Sequence, residues 1–121
     1  MSLLSLSKPT HRGSGSTPGS SIAAIGTDTG QELGAFFYPL SFDVGIDGRM
    51  FVLDAGNRRI QAFDSDGKYI TQWGSRGAED GQFDFGVGPR PEEFAGSLIV
   101  DDEGFIYVAD VGNKRIQKFA T

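Results

Sequence analysis

The sequence predicts an all-β fold in which short antiparallel strands form a meander with an internal repeat. Three observations predict it. Gly, Asp-Gly pairs and β-branched or aromatic residues interrupt every window in which an i, i+3, i+4, i+7 apolar stripe would mark a helix. Short runs with strand character recur at regular spacing, separated by turn dipeptides. The chain also repeats itself at a shift of 56 residues.

The elements follow in order. Residues 1–21 hold seven Ser, three Gly and two Pro, with Lys8, His11 and Arg12 as the charged or titratable groups. They lack the apolar side chains that offset ordering entropy and are expected to be a disordered leader. The body, 22–121, is expected to start with a strand at 21–25, followed by strands at 41–46, 49–54, 59–63 and 68–73. Three more are expected at 97–101, 105–110 and 114–119. Asp-Gly at 47–48 and 66–67, Glu-Gly at 103–104, and Gly-Asn at 56–57 and 112–113 supply the turns. Asp64-Ser65-Asp66-Gly67 and Asp101-Asp102-Glu103-Gly104 share residue types with calcium loops but do not continue with the ligand spacing, and are expected to be turns.

Composition removes several classes of function. The chain has 121 residues, no Cys and a single His, which excludes a disulfide framework, thiolate metal sites and cysteine nucleophiles, and most His-based chemistry with them. No apolar run approaches the ~20 residues of a membrane span, so the chain is expected to be soluble. Absence of cysteine fits a reducing cytoplasm without excluding export. The net charge is −5, and with Lys8 and Arg12 set aside the body carries −7. That balance disfavours nucleic acid and anionic membranes, which need clustered Lys and Arg.

In the repeat, residues 48–63 fall on 104–119 with nine of sixteen positions identical: Gly48/Gly104, Val52/Val108, Asp54/Asp110, Gly56/Gly112, Asn57/Asn113, Arg59/Arg115, Ile60/Ile116, Gln61/Gln117 and Phe63/Phe119. Asp54 closes one strand and Arg59 opens the next, so an ion pair across the turn would fix the hairpin, with Gly56 and Asn57 tolerating the positive φ this requires. Asp110, Gly112, Asn113 and Arg115 repeat the arrangement. A charged cluster present twice answers to a structural need, so Asp54, Asn57, Arg59, Asp110, Asn113 and Arg115 are assigned to structure. Val52, Ile60, Phe63, Val108, Ile116 and Phe119 alternate with period two and are expected to fill the layers between sheets.

These residues resemble the NHL repeat, a β-propeller blade unit. The first copy carries its pattern at Gly34, Phe36, Pro39, Asp47, Gly48, Val52, Asp54, Asn57, Arg59, Ile60, Phe63, Gly67 and Gly74; the second at Gly81, Phe83, Gly104, Val108, Asp110, Asn113, Arg115, Ile116 and Phe119. It departs from the pattern at Arg58 and Lys114, where the family often has His, at Asp43 and Gly45, and in an insertion between 84 and 97. The resemblance implies two four-stranded blades, the first at about 40–74 and the second at about 97–121. It also implies that further blades are needed, because NHL propellers resemble the six-bladed type. The strand at 21–26 matches the outermost strand of a preceding blade. It is expected to complete the second blade of a neighbouring chain, so that three chains close a six-bladed ring. The rival reading is a piece of a longer propeller.

In such a blade the turns at 55–58 and 111–114 share a face with the connections 26–40 and 74–96. That face is expected to gather Arg58, Arg76, Asp80, Phe83, Phe85, Arg90, Glu92, Glu93, Phe94 and Lys114, a mixture suited to a protein or peptide partner. The expected function is therefore a non-enzymatic binding or scaffold module with no cofactor. One alternative, implied by six-bladed relatives, is a metal-dependent lyase or lactonase. Asp43 is the one ionisable residue in mid-strand of an expected innermost strand, and three copies near a threefold axis would offer oxygens to a hard cation; a solvated or hydrogen-bonded carboxylate is the other reading. A second alternative, RNA binding, rests on Arg58, Arg59, Arg76, Arg90, Lys114 and Arg115 making one face locally basic.

Overall fold

The computed structural model describes residues 18–20, 24–26, 34–86 and 93–120. Seven strands form two antiparallel sheets: β1 (Pro39–Val44), β2 (Met50–Asp54), β3 (Arg59–Phe63) and β4 (Tyr69–Trp73) in one, β5 (Ser97–Val100), β6 (Ile106–Asp110) and β7 (Arg115–Phe119) in the other. Both are simple meanders, ordered β1-β2-β3-β4 and β5-β6-β7. No α-helix occurs among the described residues. The leader lies almost wholly outside them. Of the strand expected at 21–25, residues 21–23 also lie outside, and Ala24 and Ile25 carry no strand pairing. They line an apolar groove beside β1 with Phe36, Pro39, Phe42 and Val52 instead.

The β1–β2, β3–β4 and β5–β6 hairpins close alike. A backbone N–H at 45, 64 and 101 donates to the carbonyl four residues on, at 2.8, 2.8 and 2.9 Å, and the glycine at 48, 67 and 104 donates back. In the second and third, the Asp64 and Asp101 carboxylates each accept two backbone N–H groups of their own loop. That turn chemistry takes up one oxygen of the first carboxylate in each acidic run. Where the first hairpin has Gly45, Asp47 accepts the N–H and the guanidinium of Arg49 in place of the missing carboxylate.

Desolvation pushes the Asp101 carboxyl up. The Tyr107 hydroxyl at 2.8 Å, the backbone N–H groups of Phe105 and Glu103, and the charge of Lys118 outweigh it and hold the group below its usual 3.8. A lowered folded-state pKa contributes stability above the unfolded value that is lost as pH falls through the folded one, here below about pH 4. Tyr107→Phe is expected to move the Asp101 titration upward, measured by carbon-detected NMR; an unmoved titration would show that the hydroxyl does not hold it.

The sheets pack face to face. Phe51, Leu53, Ile60 and Ala62 of one meet Leu98, Ile106 and Val108 of the other, with Phe83, Phe85 and Phe94 closing the same core. At the innermost strands the contact is also polar, since Leu98 N donates to Ser41 Oγ at 3.1 Å and Val100 N to Asp43 Oδ2 at 2.9 Å. The six residues expected between sheets divide. Ile60 and Val108 lie in this core, Val52 and Phe63 are buried on the opposite face of the first sheet, and Phe119 is half-buried against Phe83 and Trp73. Ile116 is 72% exposed, a correction to the expectation. It occupies the face of the second sheet that corresponds to Ile60 in the first, and among the described residues no third sheet lies against that face.

Candidate binding face

Each sheet carries one carboxylate-centred cluster at the turn after its second strand. Asp54 and Asp110 have no exposed surface. Asp54 Oδ1 accepts Phe37 N at 2.7 Å, while Oδ2 accepts Asn57 Nδ2 at 3.0 Å and Arg59 Nε at 2.8 Å. Asp110 repeats this with Asp84 N at 2.8 Å, Asn113 Nδ2 at 2.9 Å and Arg115 Nε at 3.0 Å. The arginines extend the clusters outward. Arg59 donates to Gln72 Oε1 and the Ala35 carbonyl, and Arg115 to the carbonyls of Glu79 and Gln82. Each cluster thus ties a β-turn to the connection that enters its sheet.

Sequence reasoning aligned Gln61 with Gln117 without assigning them a role, and their identity across the repeat was the available signal. Gly34 N donates to Gln61 Oε1 at 3.0 Å and Gln61 Nε2 to the Ala35 carbonyl at 2.8 Å; Gly81 N and the Gln82 carbonyl engage Gln117 in the same way. Each side-chain amide pairs with backbone as a neighbouring strand would, satisfying groups that burial would otherwise leave unmade.

The turn geometry corrects the expected site of positive φ. Ala55–Asn57 and Val111–Asn113 are single 3-10 turns, and the left-handed residue is the one that follows, Arg58 at φ 51° and Lys114 at φ 56°. Gly56 and Gly112 are needed for closeness instead. Gly56 N donates to the Phe37 carbonyl at 2.7 Å, and a Cβ on Gly56 would lie 2.4 Å from that oxygen. Gly112 approaches the Asp84 carbonyl as closely, at 2.4 Å.

The residues expected on one binding face are differently placed. Phe85, with Phe83 and Phe94, is buried in the core between the sheets, a correction that follows from the apolar area these rings remove from water. Arg58 is half-buried and turned onto backbone, its Nη1 and Nη2 donating to the Gly56 and Gly86 carbonyls at 2.8 and 2.7 Å, with its guanidinium over the Phe94 ring. Glu93 is half-buried, whereas Arg76, Asp80 and Lys114 are exposed. Arg90 and Glu92 lie outside the described residues. Arg58 and Arg76 come together on one cleft of about 410 Å³ with Asn57, Arg59, Gln72 and Ser75.

Asp43 lies on β1 facing β5. Both its oxygens accept backbone N–H groups, Oδ1 from Val44 at 2.8 Å and Oδ2 from Val100 at 2.9 Å, so within the chain the carboxylate joins the two innermost strands. Among the described residues no three His, Asp or Glu side chains gather as a metal site would require. No described helix is long and apolar enough to cross a membrane.

Comparison with known families places a match to the NHL repeat at residues 95–119, the span of β5 to β7 with Asp110, Asn113 and Arg115. A search of curated proteins finds no match.

Proposed function

From the NHL repeat at residues 95–119, we propose that the chain is a non-enzymatic β-propeller module that self-assembles and serves as a protein-binding scaffold. The observation that carries this reading is large apolar side chains left exposed on both outer faces of the packed pair of sheets. Phe42 is 64% exposed on one outer face and Ile116 72% on the other, with Ile99 exposed on the same face as Ile116. Exposed apolar area of this kind marks an interaction surface.

The packing inside the chain supports a head-to-tail arrangement. The face of the first sheet that carries Phe42, Val44 and Val52 corresponds, at the 56-residue shift, to Leu98, Val100 and Val108, which the second sheet buries against the first. Placing the Phe42 face of one copy on the Ile99 and Ile116 face of another repeats that contact, and three copies make six blades. Segment 21–26 of one copy would complete the β7 edge of the next.

The solution mass of the full chain and of a version lacking residues 1–26, at micromolar concentration, tests this. A trimer of 13.0 kDa chains, which the shortened version fails to form, is expected. A stable monomer of the full chain overturns self-assembly.

A further inference from the structure

We propose that the cleft beside the first β-turn recognises the carboxylate of an acidic peptide bound in extended form. This rests on the protein-binding reading and names the partner chemistry at one place on the molecule. The cleft is lined by Asn57, Arg58, Arg59, Gln72, Ser75 and Arg76 with two glycines, and by no acidic residue among the described residues. On a chain of net charge −5, three guanidinium groups around one cavity stand out.

Their charges are not equally compensated. Arg59 is paired with the buried Asp54 carboxylate at 2.8 Å. Arg58 donates only to two neutral carbonyls, and its Nε is buried without an acceptor among the described residues. Arg76 is exposed and makes no ion pair or hydrogen bond among them. Among the described residues, therefore, no carboxylate pairs with Arg58 or Arg76, and the exposed Arg76 guanidinium is the one left unengaged.

Both are held on firm backbone. Arg58 sits at the left-handed end of the 3-10 turn, with its N–H on the Ala55 carbonyl at 3.1 Å. Arg76 is bridged in parallel to Phe83, a residue with no exposed surface. Gly74 joins the two supports, since a Cβ there would lie 2.7 Å from the Arg58 carbonyl oxygen. A guanidinium presents paired donors that match the two oxygens of a carboxylate.

A peptide is favoured because of what lies alongside. The cleft opens at the end of β4, the outermost strand of its sheet, and Gln72 on that strand lines it. An extended segment added to the free edge of β4 would hydrogen-bond through its main chain and direct an acidic side chain at Arg76 and Arg58. In the second sheet Lys114 stands at the place of Arg58.

The test titrates the full chain with a blocked five-residue peptide carrying one central glutamate, with its glutamine counterpart, with inorganic phosphate and with single-stranded oligouridine, followed by amide NMR. The glutamate peptide is expected to shift Gly74, Ser75 and Arg76, with affinity falling about fivefold or more for the glutamine peptide and for Arg76→Gln. Arg76 is exposed, so this variant folds. Equal affinity for the glutamate and glutamine peptides, an unaffected Arg76→Gln protein, or tighter binding of phosphate or RNA each overturns the proposal. Peptide binding that shifts residues elsewhere and ignores Arg76→Gln overturns this subsite alone and leaves the scaffold reading standing.

Discussion

Replacing Asp54 by alanine is expected to lower the folding free energy by about 3–5 kcal/mol, the cost of leaving a buried charge without its partner. The Arg59 side chain is 8% exposed and loses its 2.8 Å carboxylate contact, while Phe37 N and Asn57 Nδ2 lose an acceptor at the same time. Such a loss is comparable to the whole stability of many small domains, so the variant should show a greatly lowered urea midpoint or fail to fold cooperatively. Asp110→Ala removes the same bonds from the second cluster, where the Arg115 side chain is 26% exposed. Water can solvate that guanidinium, and the loss there is expected to be about 1–3 kcal/mol. Equal losses at the two positions would show that burial of the arginine does not set the cost. The second variant keeps the comparison measurable if the first does not fold.

Phe85→Ala is expected to cost about 3–5 kcal/mol of stability, as for other buried aromatic truncations. The ring is 1% exposed, stacks on Phe83 with centroids 5.0 Å apart, and belongs to the core shared by both sheets. Its connection is tied down at the same place, Ala95 N donating to the Phe85 carbonyl at 2.7 Å. Truncation opens a cavity between the sheets that a strand-to-strand scaffold closes only partially. Thermal unfolding of Phe85→Ala beside Arg76→Gln checks this. A stability loss confined to the Phe85 variant is expected, and an unchanged midpoint would return Phe85 to the surface.

The polar clusters are legible in the sequence because they are local. Asp54, Asn57 and Arg59 lie within six residues of one another, and the second copy, Asp110, Asn113 and Arg115, has the same spacing. Hydrogen-bond geometry within a tight turn follows from such spacing. The αL residue was displaced by one or two positions, because the choice between Gly56 and Arg58 depends on how closely Phe37 approaches the turn from 19 residues away. The binding face was the least legible part. Phe83, Phe85, Phe94, Arg76 and Glu93 occupy one connection, and composition treats them as one surface, yet the rings turn inward and Arg76 stays out.

Ile60 and Ile116 mark the division between the two sources of information. They are the same residue at the same place in the same repeat, paired across the same register to Leu53 and Ala109. The seven paired strands, the hairpin turns and the Asp–Asn–Arg clusters follow from the sequence, since these depend on neighbours a few residues away. That Ile60 has no exposed surface while Ile116 is 72% exposed follows from the tertiary structure alone. Burial depends on whether another sheet lies across that face, and such contacts join residues distant in the chain, which a local pattern of alternation does not encode.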